Sequence, residues 1–152
     1  MPAVGEPAPP FTLPDQTGKA VALADYKGRR LVVYFYPQDD TPTCTAQACE
    51  FRDGWSELVA TGAVVVGISP DTPADHQRFR TKYGLPFPLL SDSDHAVATA
   101  YGVWGEKSLY GRTVVGMIRT TFVIDAAGRI ERCFPRVRTK GHAARVLAVL
   151  VE

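Results

Sequence analysis

VYFYPQDDTPTCTAQACEFRD, residues 33–53, decides the architecture: an apolar run stops at a proline turn and a cysteine-bearing helical pattern begins. Leu31 to Tyr36 is rich in β-branched and aromatic residues and reads as a buried strand. Pro37 ends it, and the acidic pair Asp39 and Asp40 reads as loop. Thr41 followed by Pro42 has the form of a helix N-cap with proline at the first helical position. Cys44 then falls in the first turn of the helix.

The first turn of a helix carries unpaired backbone N–H groups and the positive end of the macrodipole, both of which favour a thiolate over a thiol. Raised reactivity is expected of a cysteine there. At about 100° per residue, Ala48, Phe51, Trp55 and Leu58 fall within ~40° of Cys44 and form one apolar stripe, so Cys44 faces inward and the aromatics are core. Cys49 lies ~140° around the same helix, with its Cα roughly 8.7 Å from that of Cys44. That exceeds the ~7 Å limit for a disulfide without backbone movement. Any bond between the two requires the first turns of the helix to unwind.

Outward from this stretch, strand 31–36, a helix over 42–60 ending at Gly62 and a run from Ala63 to Ile68 make a βαβ unit with parallel strands. A second helix is predicted over Thr72 to Tyr83, starting at Pro73 and stopped by Gly84, followed by a short strand from Pro88 to Leu90. Ser91 or Ser93 is the expected cap of a short helix through Ala100, and 102–110 is a loop or ribbon. Val114–Val115 and Ile118–Ile124 are separated by Gly116, and 125–128 turns the chain antiparallel into 129–137. A terminal helix over 141–151 carries Ala144, Leu147, Ala148 and Val151 at helical spacing. Upstream of it all, a proline-rich irregular arm (2–10) precedes an N-terminal β-hairpin of 11–13 with 20–23 and a capped turn at 25–28. The sum is an α/β fold, a mixed central sheet flanked by helices, in one domain over 1–152.

Hydrophobic content of 45%, charged content of 22% and a net charge of +1 give no basic excess, which argues against nucleic-acid and acidic-membrane partners. Met1 to Pro10 lacks the charged and apolar regions of a signal peptide and no run is long enough to span a membrane, so a cytoplasmic location is expected. Three cysteines in a reducing compartment are chemical or buried, not a disulfide framework. Cys133, in a strand, reads as an incidental thiol. His76, His95 and His142 are scattered and form no metal-ligand spacing with a cysteine, so solvated or capping roles and no metal site are expected. Glu50, Asp53, Asp92 and Asp94 are expected to be solvated or locally paired.

Pro37-x-x-x-Thr41-x-x-Cys44 resembles the active-site motif of the peroxiredoxins, and YPQDDTPTCTAQACEFRD resembles the bacterioferritin-comigratory-protein, or PrxQ, subfamily. The similarity continues through Tyr101 to Lys107, Met117 to Asp125 and Lys140-Gly-His-Ala, nearly the whole chain. The resemblance implies a thioredoxin-like fold and a thiol peroxidase acting on hydrogen peroxide and organic hydroperoxides without metal, haem or flavin. Cys44 would be the attacking cysteine, with Thr41 Oγ, the Cys44 N–H and the Arg119 guanidinium as donors to the peroxide oxygens and Pro37 shielding the site. Asp39 and Asp40 are then expected to face solvent. Cys49 would resolve the Cys44 sulfenic acid as an intramolecular disulfide, reduced by thioredoxin or glutaredoxin, in a monomer or weak dimer. Arg52 and Trp104 are open to two readings each, contribution to the site or not. Two other functions stay open. A general thiol–disulfide oxidoreductase is disfavoured by the C-x4-C spacing. A redox sensor or chaperone-like protein would use the same cysteine switch to expose surface.

Overall fold

A computed structural model describes all 152 residues of the chain. Its centre is a strand whose five residues are all buried, β3 (Leu31–Phe35). Alternate side chains of a strand point to opposite faces. Val32 and Tyr34 pack with Cys44, Ala48 and Phe51 on one side, while Leu31, Val33 and Phe35 pack with Phe11, Tyr101 and Phe122 on the other. Burial on both faces is what the unbroken apolar run encodes.

The chain enters by a hairpin of β1 (Thr12–Pro14) and β2 (Ala20–Ala22), antiparallel, and a 3-10 turn over Leu23–Tyr26. After β3 come α1 (Pro42–Asp53), α2 (Trp55–Ala60), β4 (Val64–Ser69), α3 (Pro73–Tyr83), β5 (Leu89–Ser91) and α4 (Ala96–Ala100). A two-stranded antiparallel ribbon follows, β6 (Trp104–Leu109) with β7 (Arg112–Met117), then β8 (Thr120–Ile124), β9 (Ile130–Phe134) and α5 (His142–Leu150). The main sheet has the order β5-β4-β3-β8-β9. Its β5, β4 and β3 are mutually parallel, and β8 and β9 are added antiparallel. Helices α1, α2, α3 and α5 cover one face; the hairpin, α4 and the root of the ribbon cover the other. The irregular arm before β1 lies beside β9, where Gly5 N donates to Ile130 O and Ile130 N to Glu6 O. The fold is thioredoxin-like, as expected, and no helix is long and apolar enough to cross a membrane.

Four expectations are corrected. The helix over 42–60 is two helices, because Gly54 leaves helical geometry (φ −91°, ψ 9°) between α1 and α2. Its stripe survives the break: Ala48, Phe51 and Leu58 are buried and Trp55 packs against them. In α5 the buried residues are His142, Ala143, Val146, Val149 and Leu150, and of the expected stripe only Leu147 packs half-buried against the core, while Ala144 and Ala148 are exposed and Val151 is 66% exposed. Two apolar stripes compete on that helix, and the one with larger side chains buries more surface. The cap of α4 is neither serine. The buried Asp92 carboxylate accepts from Val97 N at 3.1 Å and Ala98 N at 2.8 Å, with Asp94 taking Ala96 N, so Asp92 is not a solvated acid. An acid there supplies two acceptors and a charge that complements the dipole. Finally, Gly116 lies within β7, and the break between strands falls at Ile118–Arg119.

One glycine is demanded by packing. A Cβ on Gly67, in β4, would stand 2.9 Å from Tyr34 Cζ and 3.0 Å from Leu89 Cδ2. Gly67→Ala is expected to cost about 1–3 kcal/mol through overpacking, read as a lower urea midpoint at unchanged m-value.

Candidate active site

The register of the central sheet brings distant residues together. Phe35, the last residue of β3, pairs with Thr120, the first of β8. Residue 119 is therefore set beside the loop that follows β3, and Arg119 reaches across to α1. Arg119 Nη2 donates to Cys44 Sγ at 3.2 Å and Nη1 to Gln47 Oε1 at 2.6 Å. The forked guanidinium makes each bond from a separate nitrogen in one plane, a geometry a lysine ammonium does not offer.

Cys44 is buried, 2% exposed, in the first turn of α1, and Pro37 is half-buried in the preceding loop. Thr41 is the N-cap with Pro42 next, as predicted, but its side chain does not cap. Its hydroxyl donates to Gln38 O at 2.9 Å. The Thr43 and Cys44 amides consequently have no acceptor within the chain. The turn that carries Cys44 thus holds two amides without acceptors, and a guanidinium is bonded to its sulfur, an arrangement suited to an anionic sulfur or oxygen. Cys49 sits further along α1, half-buried, and all three cysteines are free thiols.

Two residues around Arg119, Gln47 and Lys107, escaped the sequence reading, and a third, His142, is buried where a solvated or capping role was expected. Gln47 is 1% exposed, and its Nε2 has no partner. Its signal was present, a polar residue three positions after Cys44 on the face that should be apolar. His142 Nε2 bonds Thr121 Oγ1 at 2.9 Å, and the ring stands edge-on to Phe51 and Phe134. Burial first, then Arg145 and Arg119, push it down to about 4, so it is neutral at neutral pH. Its only signal was the Lys140-Gly-His-Ala string. Lys107, on β6, donates to Met117 O at 2.7 Å, and a Cβ on Gly116 would stand 3.3 Å from its Cε. Burial and the Arg119 charge lower it, and the Cys44 sulfur acts in the opposite sense.

Asp39 does not face solvent. Its Oδ1 accepts from Tyr36 OH at 2.5 Å, its Oδ2 lies 2.6 Å from His76 Nδ1, and its N–H donates to Asp71 Oδ2. His76 is correspondingly buried, with Nε2 3.1 Å from Leu90 O, not solvated as its spacing suggested. The loop folds Asp39 back onto α3, so both carboxylate oxygens are engaged away from the thiol. Asp40, at φ +59°, is the exposed acid of the pair and meets Lys82 and Tyr83 OH, which hold its carboxyl below the usual range.

The remaining candidates lie elsewhere. Arg52 donates to Tyr83 O and Asp53, tying α1 to α3, and the sulfur it senses is that of Cys49. Trp104 stacks flat on His95 at 3.9 Å and belongs with the cluster on the opposite sheet face from Cys44. Cys133 packs with that same cluster, 3.5 Å from Met1 Sδ, and burial raises its thiol. Glu50 is not locally paired: it accepts from Gly141 N at the start of α5, 91 residues along the chain, and so ties α1 to α5.

With this geometry in hand, the likenesses to known proteins are specific. The AhpC/TSA family model matches residues 4–133. A putative peroxiredoxin of Mycobacterium tuberculosis is 54% identical over 142 residues, covering 93% of this chain and 90% of the relative. Peroxiredoxin Bcp of Escherichia coli is 50% identical over 148 residues, covering 97% and 95%. A solved structure of Xanthomonas campestris bacterioferritin comigratory protein, studied for alkyl peroxide reduction, superposes with a TM-score of 0.87 at 37% identity, covering 93% and 90%.

Proposed function

This chain belongs to the AhpC/TSA family of peroxiredoxins, and from that premise we propose that it reduces hydrogen peroxide and organic hydroperoxides with Cys44 as the attacking sulfur and Cys49 as the resolving one. The observation that carries the assignment is the Arg119 bond to Cys44 Sγ, made beside two amides without acceptors. The Sγ thiolate attacks the terminal peroxide oxygen. An S–O bond forms as the O–O bond breaks, and the leaving oxygen departs as water or alcohol once it has taken a proton. Arg119 and the free amides stabilise the charge that grows on the oxygens, while Gln47 fixes the arm of Arg119 that does not touch sulfur. Thr41 is positioned to join them if its hydroxyl turns from Gln38 O, and Pro37 closes the loop side.

Cys49 then attacks Cys44 sulfur, forming the S–S bond and releasing the sulfenic oxygen as water. The first turns of α1 must unwind for this. Its second half stays tied, by Glu50 to Gly141 N and by Arg52 to Tyr83 O. The first half is held by Arg119 and by burial of Cys44 and Ala48. Oxidation of Sγ alters the contact with Arg119, which favours release of that half. A dithiol protein, thioredoxin or glutaredoxin, returns both thiols by exchange. The proposal includes one peroxiredoxin domain over residues 1–152, acting in the cytoplasm as a monomer or weak dimer.

The test is one equivalent of hydrogen peroxide added to the reduced protein, followed by mapping of cysteine states by mass spectrometry. A rapid Cys44–Cys49 bond with Cys133 free is the expected result. Slow or unselective oxidation would return the chain to the oxidoreductase or sensor readings.

A further inference from the structure

We propose that the cavity between the end of β9 and the start of α5 is a carboxylate-binding subsite, which seats the anionic group of an organic hydroperoxide whose peroxide end reaches Cys44. The inference rests on the peroxidase reading and adds a substrate class to it. The cavity holds about 370 Å³, within the range of small-molecule sites, and is lined by Arg136, Arg138, Arg145, Phe134, Val137 and His142 among others, none of them acidic. Arg136 and Arg138 are exposed and have no side-chain partner, and Arg145 spends its guanidinium on two backbone carbonyls, those of Arg138 and Lys140. None of the three meets a carboxylate, in a chain whose net charge is only +1. Arg136 holds φ +48°, a conformation a non-glycine residue adopts at a cost.

One residue of the cavity wall is tied to the thiol site by a backbone hydrogen bond. Val137 N donates to the carbonyl of Arg119, the residue whose guanidinium bonds Cys44 Sγ. His142 lines the cavity and lies in the fields of both Arg145 and Arg119, which help keep it neutral. Arginine forks match carboxylates bidentately, and the apolar surfaces of Phe134 and Val137 suit a hydrocarbon body between the anion and the peroxide. Hydrogen peroxide has no group to place here, so the subsite separates substrates without altering the chemistry at sulfur.

The experiment compares the rate constant of Cys44 oxidation by cumene hydroperoxide with those of its 3- and 4-carboxylates. The intact protein is expected to favour at least one carboxylate by about tenfold or more, what one charge-assisted hydrogen bond supplies. Arg136→Gln/Arg138→Gln should remove that preference and leave the rates with cumene hydroperoxide and hydrogen peroxide unchanged. Lys27→Gln/Arg29→Gln, which removes the same charge at the opposite end of β3, should keep it. Equal rates for all three peroxides in the intact protein would overturn the proposal. So would a preference that survives the first double variant, or one that the second abolishes as well, which would mark it as net-charge steering. Reaction of the intact protein with cumene hydroperoxide itself is the separate test of the peroxidase reading.

Discussion

Cys44→Ser is expected to bring peroxide-dependent oxidation of a thioredoxin dithiol down to the uncatalysed rate, a fall of more than about 10³-fold, since enzymes commonly supply at least ~10⁶. A hydroxyl keeps the small side chain of a buried position and leaves Arg119 with an acceptor, so the fold should survive. What is lost is chemical. An alcohol stays protonated at neutral pH, and its oxygen has no counterpart of the sulfenic state through which the peroxide oxygen is carried. Cys49→Ser should behave differently: the first oxidation proceeds, and turnover with thioredoxin stops. Intact mass would show Cys44 gaining one oxygen atom with no disulfide. Full multiple-turnover activity in Cys49→Ser would remove the resolving assignment, while retained activity in Cys44→Ser would remove the whole scheme.

The pair of outcomes matters because the roles of Cys44 and Cys49 come from the family resemblance, while the helix that carries both is legible only in part. The apolar run before Pro37 and the Thr41-Pro42 helix start are local signals, and each led to the element observed. Where local signals compete, tertiary packing decides. Nothing around Gly54 said whether a glycine inside an apolar pattern would be tolerated or would break the helix, and the two stripes of α5 differ only in which one the sheet accepts. The Asp92 cap was hidden for a similar reason, because an acid in a polar stretch reads as solvated until two amides are seen to converge on it.

The site divides the same way. Cys44 and its inward direction followed from helix geometry, whereas Arg119 came from the family motif, since no periodicity links residues 75 positions apart. The pairing of Phe35 with Thr120 supplies the physical link afterwards. Asp39 was misread because a carboxylate in a loop is ordinarily solvated. Here Tyr36 at the end of β3 and His76 on α3 offer it two partners that sequence distance conceals. Gln47 is the instructive omission. A polar side chain on the buried face of a helix needs a partner, and here the structure supplies Arg119.

Arg119→Met is expected to lower the second-order rate constant for Cys44 oxidation by about 10²–10³-fold, the usual cost of removing one preorganised donor from a developing oxyanion. Methionine keeps the apolar stem of the side chain out to its ε position, and the backbone bond from Val137 N to the residue 119 carbonyl does not depend on it, so the site's frame should persist. Gln47 would then have neither end of its buried amide satisfied, because its Nε2 is already without a partner. Arg119→Lys should recover only part of the loss. A single ammonium restores the charge, but it has one nitrogen on a different stem in place of the two that reach Gln47 Oε1 and Cys44 Sγ from a rigid plane. Stopped-flow fluorescence can follow the reaction, because Trp55 packs against the core face that α1 shares with Phe51. A loss in Arg119→Met smaller than tenfold, or full recovery in Arg119→Lys, would mean that the guanidinium braces α1 without acting on the peroxide, and that the two free amides of its first turn carry the stabilisation alone.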